Sequence, residues 1–166
     1  MLGFLKPDYT FEAATEITPP LLKHLDVQCI LVDLDNTLMP WNGRVFTQEV
    51  LHWLENLKAH GFKIVVISNS PWRRVKGLAQ QLEVPAVKLS LKPLPIAIMR
   101  TLAAQCMSRK KVLLVGDQLL TDILAGKLAG IRTAWVKPIS HKEFVWTKYV
   151  IRRIERFFAR RWKIKR

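Results

Sequence analysis

An α/β domain, with a five-stranded parallel sheet covered by helices on both faces, is the fold class this sequence predicts. Between residues 27 and 136 short, β-branched apolar runs alternate with longer helical stretches, the order that builds a parallel sheet from strand–helix–strand units. These runs are continuously apolar rather than alternating in polarity, as strands buried on both faces should be. Polar, chemistry-bearing residues follow several of the runs directly, where the carboxyl ends of parallel strands converge.

The strands are expected over residues 27–33, 62–68, 86–89, 111–116 and 132–136. Helices fill the gaps. Thr47 is placed to cap the first of them, in which Val50, Leu51, Leu54 and Leu57 recur at helical spacing before Gly61. Pro71, and then Pro93 with Pro95, stand near the starts of the next two helices, where a missing N–H does no harm. Gly130 closes the fourth. The chain reads as one domain over residues 1–166. Within it, residues 1–25 form an irregular N-terminal arm bounded by Pro19-Pro20, 26–137 a core, and 141–166 a basic amphipathic C-terminal helix.

Length and composition agree. A chain of 166 residues can bury roughly two-thirds of its unfolded surface around one core. Its 49% hydrophobic and 24% charged residues exclude a disordered or fibrous protein. Cys29 and Cys106 each lie in an apolar stretch and read as two buried, reduced thiols. No apolar run approaches the ~20 residues that span a bilayer, and Met1 to Lys6 lacks the pattern of a secretory signal. A cytoplasmic protein is expected.

The chemistry gathers at four strand ends. The first run leads into Asp33-Leu34-Asp35-Asn36-Thr37, the second into Ser68-Asn69-Ser70, the third is followed by Lys92, and the fourth ends Gly116-Asp117 with Asp122 beyond. A two-residue spacing in extended chain puts Asp33 and Asp35 on the same side, facing one crevice. Carboxylates that close repel unless a cation lies between them, and Mg²⁺ suits carboxylate and phosphate oxygens together. Asp33, Asp35 and Asp117 are therefore candidate Mg²⁺ ligands, and Asp122 is expected to orient the ion's surroundings rather than bind it directly. With the ion and Lys92 neutralising a phosphate, an anionic Asp33 can attack phosphorus. Asp35 can then protonate the leaving alcohol and later deprotonate the hydrolytic water. Ser68 and the backbone N–H of Asn69, near a helix start, would hold the non-bridging oxygens.

These residues resemble the motifs of the haloacid-dehalogenase superfamily of phosphotransferases. The first motif, Asp-x-Asp-x-Thr, stands as Asp33-Leu34-Asp35-Asn36-Thr37, the second as Ser68-Asn69, the third as Lys92, and the fourth as Gly116-Asp117-Gln118-Leu119-Leu120-Thr121-Asp122. The resemblance implies a three-layer Rossmann-like fold, a phospho-aspartyl intermediate and Mg²⁺. The acid at the second position of motif one, absent from dehalogenases, points to phosphate transfer. Only about ten residues separate Asp35 from the first helix, too few for a cap domain, so the expected site is open to a bulky substrate. Together with Ile17-Thr18-Pro19 the motifs are similar to the bacterial YqeG and mitochondrial phosphatidylglycerophosphate phosphatase subgroup, which implies a phospholipid substrate. A soluble sugar phosphate, nucleotide or phosphoprotein fits the same mechanism.

The formal charge of +14 is uneven, for residues 148–166 alone carry +8. In that tail Val150, Ile151, Ile154, Phe157, Phe158 and Trp162 recur at helical spacing among the cations. Two readings lead, with nucleic-acid binding as a third: the apolar face packs on the domain, or it lies in an anionic membrane surface. The second would attach the protein peripherally to the inner face of the membrane. Nucleic-acid binding by the tail, with the domain as mere scaffold, would leave the set Asp33, Asp35, Ser68, Lys92 and Asp117 without a purpose. Arg73 and Arg74 are either solvated or ligands of a second substrate phosphate, and Trp41 and Trp72 either rim the site or cover it. His24, His52, His60 and His141 have no ligand-like spacing.

Overall fold

The computed structural model describes residues 3–88, 90–140 and 152–164. Six parallel strands form one sheet: β1 (Tyr9–Phe11), β2 (Cys29–Val32), β3 (Lys63–Ile67), β4 (Ala86–Val87), β5 (Val112–Gly116) and β6 (Arg132–Val136), in the order β1-β6-β5-β2-β3-β4. The helices are α1 (Pro19–His24), α2 (Gln48–Ala59), α3 (Trp72–Gln81), α4 (Ile96–Ala104), α5 (Leu124–Ala129) and α6 (Arg152–Arg161).

Alternation along the strands divides the core between the two faces of the sheet. Ile30, Val32, Val66, Leu113 and Val115 face a cluster that includes Leu54, Leu57 and Leu78 of α2 and α3. Leu31, Val65, Ile67 and Leu114 face Ile98, Leu102, Ala125 and Ala129 of α4 and α5. Three layers result. Thr47 caps α2 as its sequence position predicts, its hydroxyl accepting from the N–H of Val50. Gly130 ends α5 in the left-handed region at φ 69°, which glycine enters without a Cβ clash.

The sheet has six strands rather than the expected five. The sixth comes from the arm read as irregular, in which Tyr9–Phe11 pairs with residues 134–136. A side-chain clasp makes the docking possible: Asp8 accepts from the N–H and hydroxyl of Thr133, both at 2.8 Å, and from Lys127 Nζ at 2.6 Å. Burial alone would raise the Asp8 pKa, but Lys127 and Thr133 outweigh it and hold the carboxyl below its ordinary range. Cys29 is buried as expected, and burial pushes its thiol up to about 11. Cys106 is not: it follows α4 in a turn with φ 48° that leaves it exposed. Of the expected C-terminal helix over 141–166, the stretches 141–151 and 165–166 lie outside the described residues, as does Leu89 at the expected end of the third strand.

The described part of the tail packs on the domain. Phe158 and Ala159 of α6 bury against Leu119, Ile123 and Trp135, with Ile154 and Trp162 at the margin. Of the two readings of that amphipathic face, the packed one holds for these residues. Among the described residues no helix is long and apolar enough to cross a membrane.

Candidate active site

In sequence β2 leads to β3 and β4 on one side, while β5, β6 and β1 lie on the other. The strand order therefore reverses between β2 and β5, where open parallel sheets form their crevice. A cleft of about 560 Å³ opens there, and Asp33, Asp35, Ser68, Asn69, Lys92 and Asp122 all line it. No cap stands over it among the described residues.

Asp33 and Lys92 are its charged floor. Lys92 Nζ donates to Asp33 Oδ1 at 2.6 Å, to Asp122 Oδ1 at 2.5 Å and to the Ile67 carbonyl at 3.0 Å. Burial disfavours the ammonium, but Asp122 and Asp33 more than offset it and lift the Lys92 pKa above its ordinary range. Burial also pushes Asp33 up to about 7, with Lys92 opposing and Asp122 and Asp35 adding to the rise.

Asn69, whose backbone N–H is the group expected to face a phosphate, commits its side chain to the chain segment that carries Lys92. Its Nδ2 donates to the Lys92 carbonyl and its Oδ1 accepts from the Lys92 N–H, both at 2.8 Å. Ser90 completes this staple, donating to Asn69 Oδ1 at 2.7 Å and to the Ser68 carbonyl at 2.5 Å. The side chain of Asn69 thus fixes the backbone that carries Lys92. Ser68 Oγ, buried at the end of β3, accepts from the N–H of Ser70 at 3.2 Å.

Asp35 also departs from expectation. Its carboxylate is gripped by Arg74, Nη1 to Oδ2 at 2.8 Å and Nη2 to Oδ1 at 2.9 Å, by the Ser70 hydroxyl at 2.5 Å and by the Asn42 N–H at 2.8 Å. A bidentate guanidinium is a strong, direction-setting partner for a carboxylate. The side chain of Asp35 is thereby turned to Arg74, while among the described residues the carboxylates with ligand atoms within 4.8 Å of one another are those of Asp33, Asp117 and Asp122. Arg74 is accordingly committed to Asp35 at the rim of the cleft rather than simply solvated. Arg73 is exposed, Trp41 lines the cleft, and Trp72 packs against the core.

Asp122 sits deeper than a purely orienting role requires. It lies in a π-helical turn, Leu119–Ile123, ahead of α5, a distortion frequent at functional sites. A Cβ on residue 116 would overlap the Asp122 carboxylate. Gly116 is therefore demanded by space and not by backbone torsion.

Asp117 is sealed from below by α6. Arg152 Nη1 donates to the Asp117 carbonyl at 2.9 Å, its Nη2 pairs with Asp117 Oδ2, and Nη1 also donates to Glu155 Oε2 at 2.7 Å. Glu155 Oε1 in turn accepts from the Leu119 N–H at 2.6 Å, and Trp135 Nε1 donates to the Asp117 carbonyl at 2.8 Å. Burial raises the Asp117 pKa well above the usual carboxylate range; Arg152 opposes it, and Asp122 and Asp33 add to it. Arg152 and Glu155 are site residues that motif spacing does not reveal. One signal was available: Glu155 is the single acid in the basic stretch 148–166.

The donor set suits a divalent ion. Four buried carboxylates, Asp33, Asp117, Asp122 and Glu155, face two cations, Lys92 and Arg152. Fully ionised, the cluster is two charges short of neutrality. Burial is the main cause of the raised Asp33 and Asp117 pKa values and the neighbouring carboxylates add to it; a hard dication with oxygen ligands would offset the excess negative charge.

Comparison with known proteins accords with this geometry. Residues 3–139 match the family model for the mitochondrial PGP phosphatases. The chain is 35% identical over 153 residues to the "Probable phosphatase YqeG" of Bacillus subtilis (strain 168), covering 92% of this chain and 88% of that protein. Among solved structures it resembles an uncharacterized protein from Listeria monocytogenes serotype 4b, at TM-score 0.55 and 18% identity over 81% of this chain and 99% of that one. It also resembles the cobalt-bound deoxy-D-mannose-octulosonate 8-phosphate phosphatase of Haemophilus influenzae, at TM-score 0.53 and 12% identity over 83% and 90% of the two chains. These two likenesses concern the fold.

Proposed function

The chain belongs to the mitochondrial PGP phosphatase family, within the haloacid-dehalogenase-type phosphatases, and from that premise we propose that it is a Mg²⁺-dependent phosphatidylglycerophosphate phosphatase working through a phospho-aspartate on Asp33. The observation that carries this reading is the buried Asp33 carboxylate at the end of β2, held by Lys92 Nζ at 2.6 Å and clustered with Asp117 and Asp122.

A carboxylate oxygen of Asp33 attacks phosphorus, the bond to the leaving alcohol breaks, and an acyl-phosphate forms. Lys92 balances charge on the transferring group while holding Asp33 in line. Asp35 delivers a proton to the departing oxygen and recovers one from the water that attacks the acyl-phosphate in the second step. Arg74, Ser70 and the Asn42 N–H set the direction of its carboxylate in the resting site, and for Asp35 to carry a proton one of its oxygens must be released from Arg74. Asp33, Asp117 and Asp122 would hold Mg²⁺, which when bound would screen the phosphate from the attacking carboxylate. Ser68 and the Asn69 N–H would bind non-bridging oxygens.

The open cleft and the family support a lipid substrate, and a direct comparison tests it. Phosphatidylglycerophosphate in mixed micelles, assayed with Mg²⁺ beside soluble sugar phosphates, nucleotides and phosphopeptides, should be the preferred substrate. A higher kcat/KM for a soluble ester would remove the lipid assignment and leave the chemistry in place.

A further inference from the structure

We infer that the protein meets an anionic bilayer through the face formed by the β4 edge, the Leu91–Leu94 loop and the first turn of α4, and not through its basic tail. The inference rests on the lipid reading of the catalytic site and adds to it the surface on which that site works.

This face carries exposed apolar side chains close together in sequence: Leu91 is 59% exposed, Leu94 51%, Ile96 51% and Met99 42%. Scattered single apolar residues are ordinary at a surface, whereas a contiguous set marks an interaction site. Leu91, Leu94 and Ile96 line a groove of about 750 Å³ that runs along β4 and α4.

The groove leads to the chemistry. It shares Val87, Ser90, Leu91 and Leu94 with a second cavity, and that cavity shares Ser68, Asn69 and Lys92 with the catalytic cleft. An amphiphile with its phosphate at Lys92 therefore finds a continuous path to an apolar surface.

Charge selects the occupant. Residues 64–116 hold nine Lys or Arg and one acid, Glu83. Lys88 and Arg100, both exposed, stand in the lining of the groove itself. Apolar side chains flanked by cations suit an anionic lipid surface, to which each cation adds attraction. A second copy of the chain would set like charges against each other. A single-stranded nucleic acid would call for aromatic stacking platforms, and this groove has none in its lining. In α6 Phe158 and Ala159 are already buried against the domain, which leaves Phe157, 60% exposed, as its lone exposed large apolar side chain among the described residues, against a set of them on the β4–α4 face.

The test is co-sedimentation with phosphatidylcholine vesicles, with and without phosphatidylglycerol, for the full chain and three double variants. Ile96→Asp with Met99→Glu places acids in the first turn of α4, where they favour the helix. Lys88→Gln with Arg100→Gln removes the flanking charge, and Arg160→Gln with Lys163→Gln alters α6. The first pair should lower partitioning onto phosphatidylglycerol vesicles at least about 10-fold and cut hydrolysis in mixed micelles. Turnover of nitrophenyl phosphate should be unchanged, which also verifies folding. The second pair should weaken binding to anionic vesicles only, and the α6 pair should have little effect. Wild-type-like binding by the first pair, loss of binding in the α6 pair instead, a fall in molar mass of the first pair, or no vesicle binding by the full chain would overturn the inference. Failure of the substrate reading looks different: the full chain would bind vesicles through this face yet prefer soluble esters.

Discussion

Two arginine–aspartate pairs flank Asp33 in unlike surroundings. On the rim, the side chains of Arg74 and Asp35 are 18% and 16% exposed; on the floor, those of Arg152 and Asp117 are 15% and 0% exposed. A partly wet pair contributes little to stability but can steer a carboxylate. A buried pair is nearly neutral as a unit, yet costly to break, because the surviving charge is left without a partner. The rim should therefore answer in rate and the floor in stability and metal dependence.

Asp33, on the floor, sets the scale. Asp33→Asn should lower turnover of every phosphomonoester at least about 10⁴-fold with the unfolding transition intact; residual turnover in a highly purified sample would count against a covalent intermediate. Breaking the floor comes next. Arg152→Ala should cost about 3–5 kcal/mol in urea-induced unfolding, with the deficit narrowed by Mg²⁺. By the same reasoning, removal of residues 148–166 disturbs the site itself. It strips Arg152 and Glu155 from beneath Asp117, so loss of activity would follow for soluble and lipid esters alike.

The floor should also respond to pH. Asp33 titrates near 7 in the fold, above the ordinary carboxylate value of 3.8. Between those values the folded state holds a proton that the unfolded state has lost, so stability falls as pH rises from about 4 to about 7, by a few kcal/mol at most. Thermal unfolding of metal-free protein should follow that slope, and saturating Mg²⁺ should flatten it. A metal-free stability that climbs over this range would mean that Lys92 outweighs burial at Asp33. The smallest stability effect belongs to the rim: Arg74→Met should cost about 1 kcal/mol or less, while kcat falls roughly 10- to 100-fold with KM little changed. If Arg74→Met destabilises as much as Arg152→Ala, the contrast between rim and floor disappears.

Much of this site was legible because its parts stand at strand ends, and both the strands and the motifs are local patterns. Ser68, Lys92 and Asp117 needed only the alternation of apolar runs and polar ends to be placed. Asp35 was placed at the cleft, but its partner was not foreseen, since Arg74 lies 39 residues away and meets it only through the packing of α3. Tyr9–Phe11 was missed as a strand because a three-residue run carries almost no period, and the Asp8 clasp that docks it spans 125 residues. Cys106 was misjudged because an apolar neighbourhood in sequence does not fix which way a turn after a helix faces.

The sequence by itself determined the layered parallel fold, the chemical kind of the site and its candidate nucleophile, since apolar periodicity and short motifs are written in consecutive residues. Only the tertiary structure decided what surrounds that nucleophile. Asp35 is turned to Arg74, the Asn69 side chain staples the backbone of Lys92, and Arg152 and Glu155 come up beneath Asp117. Each of these contacts joins separate elements. Their geometry follows from how helices seat on the sheet, which no local pattern of residues specifies.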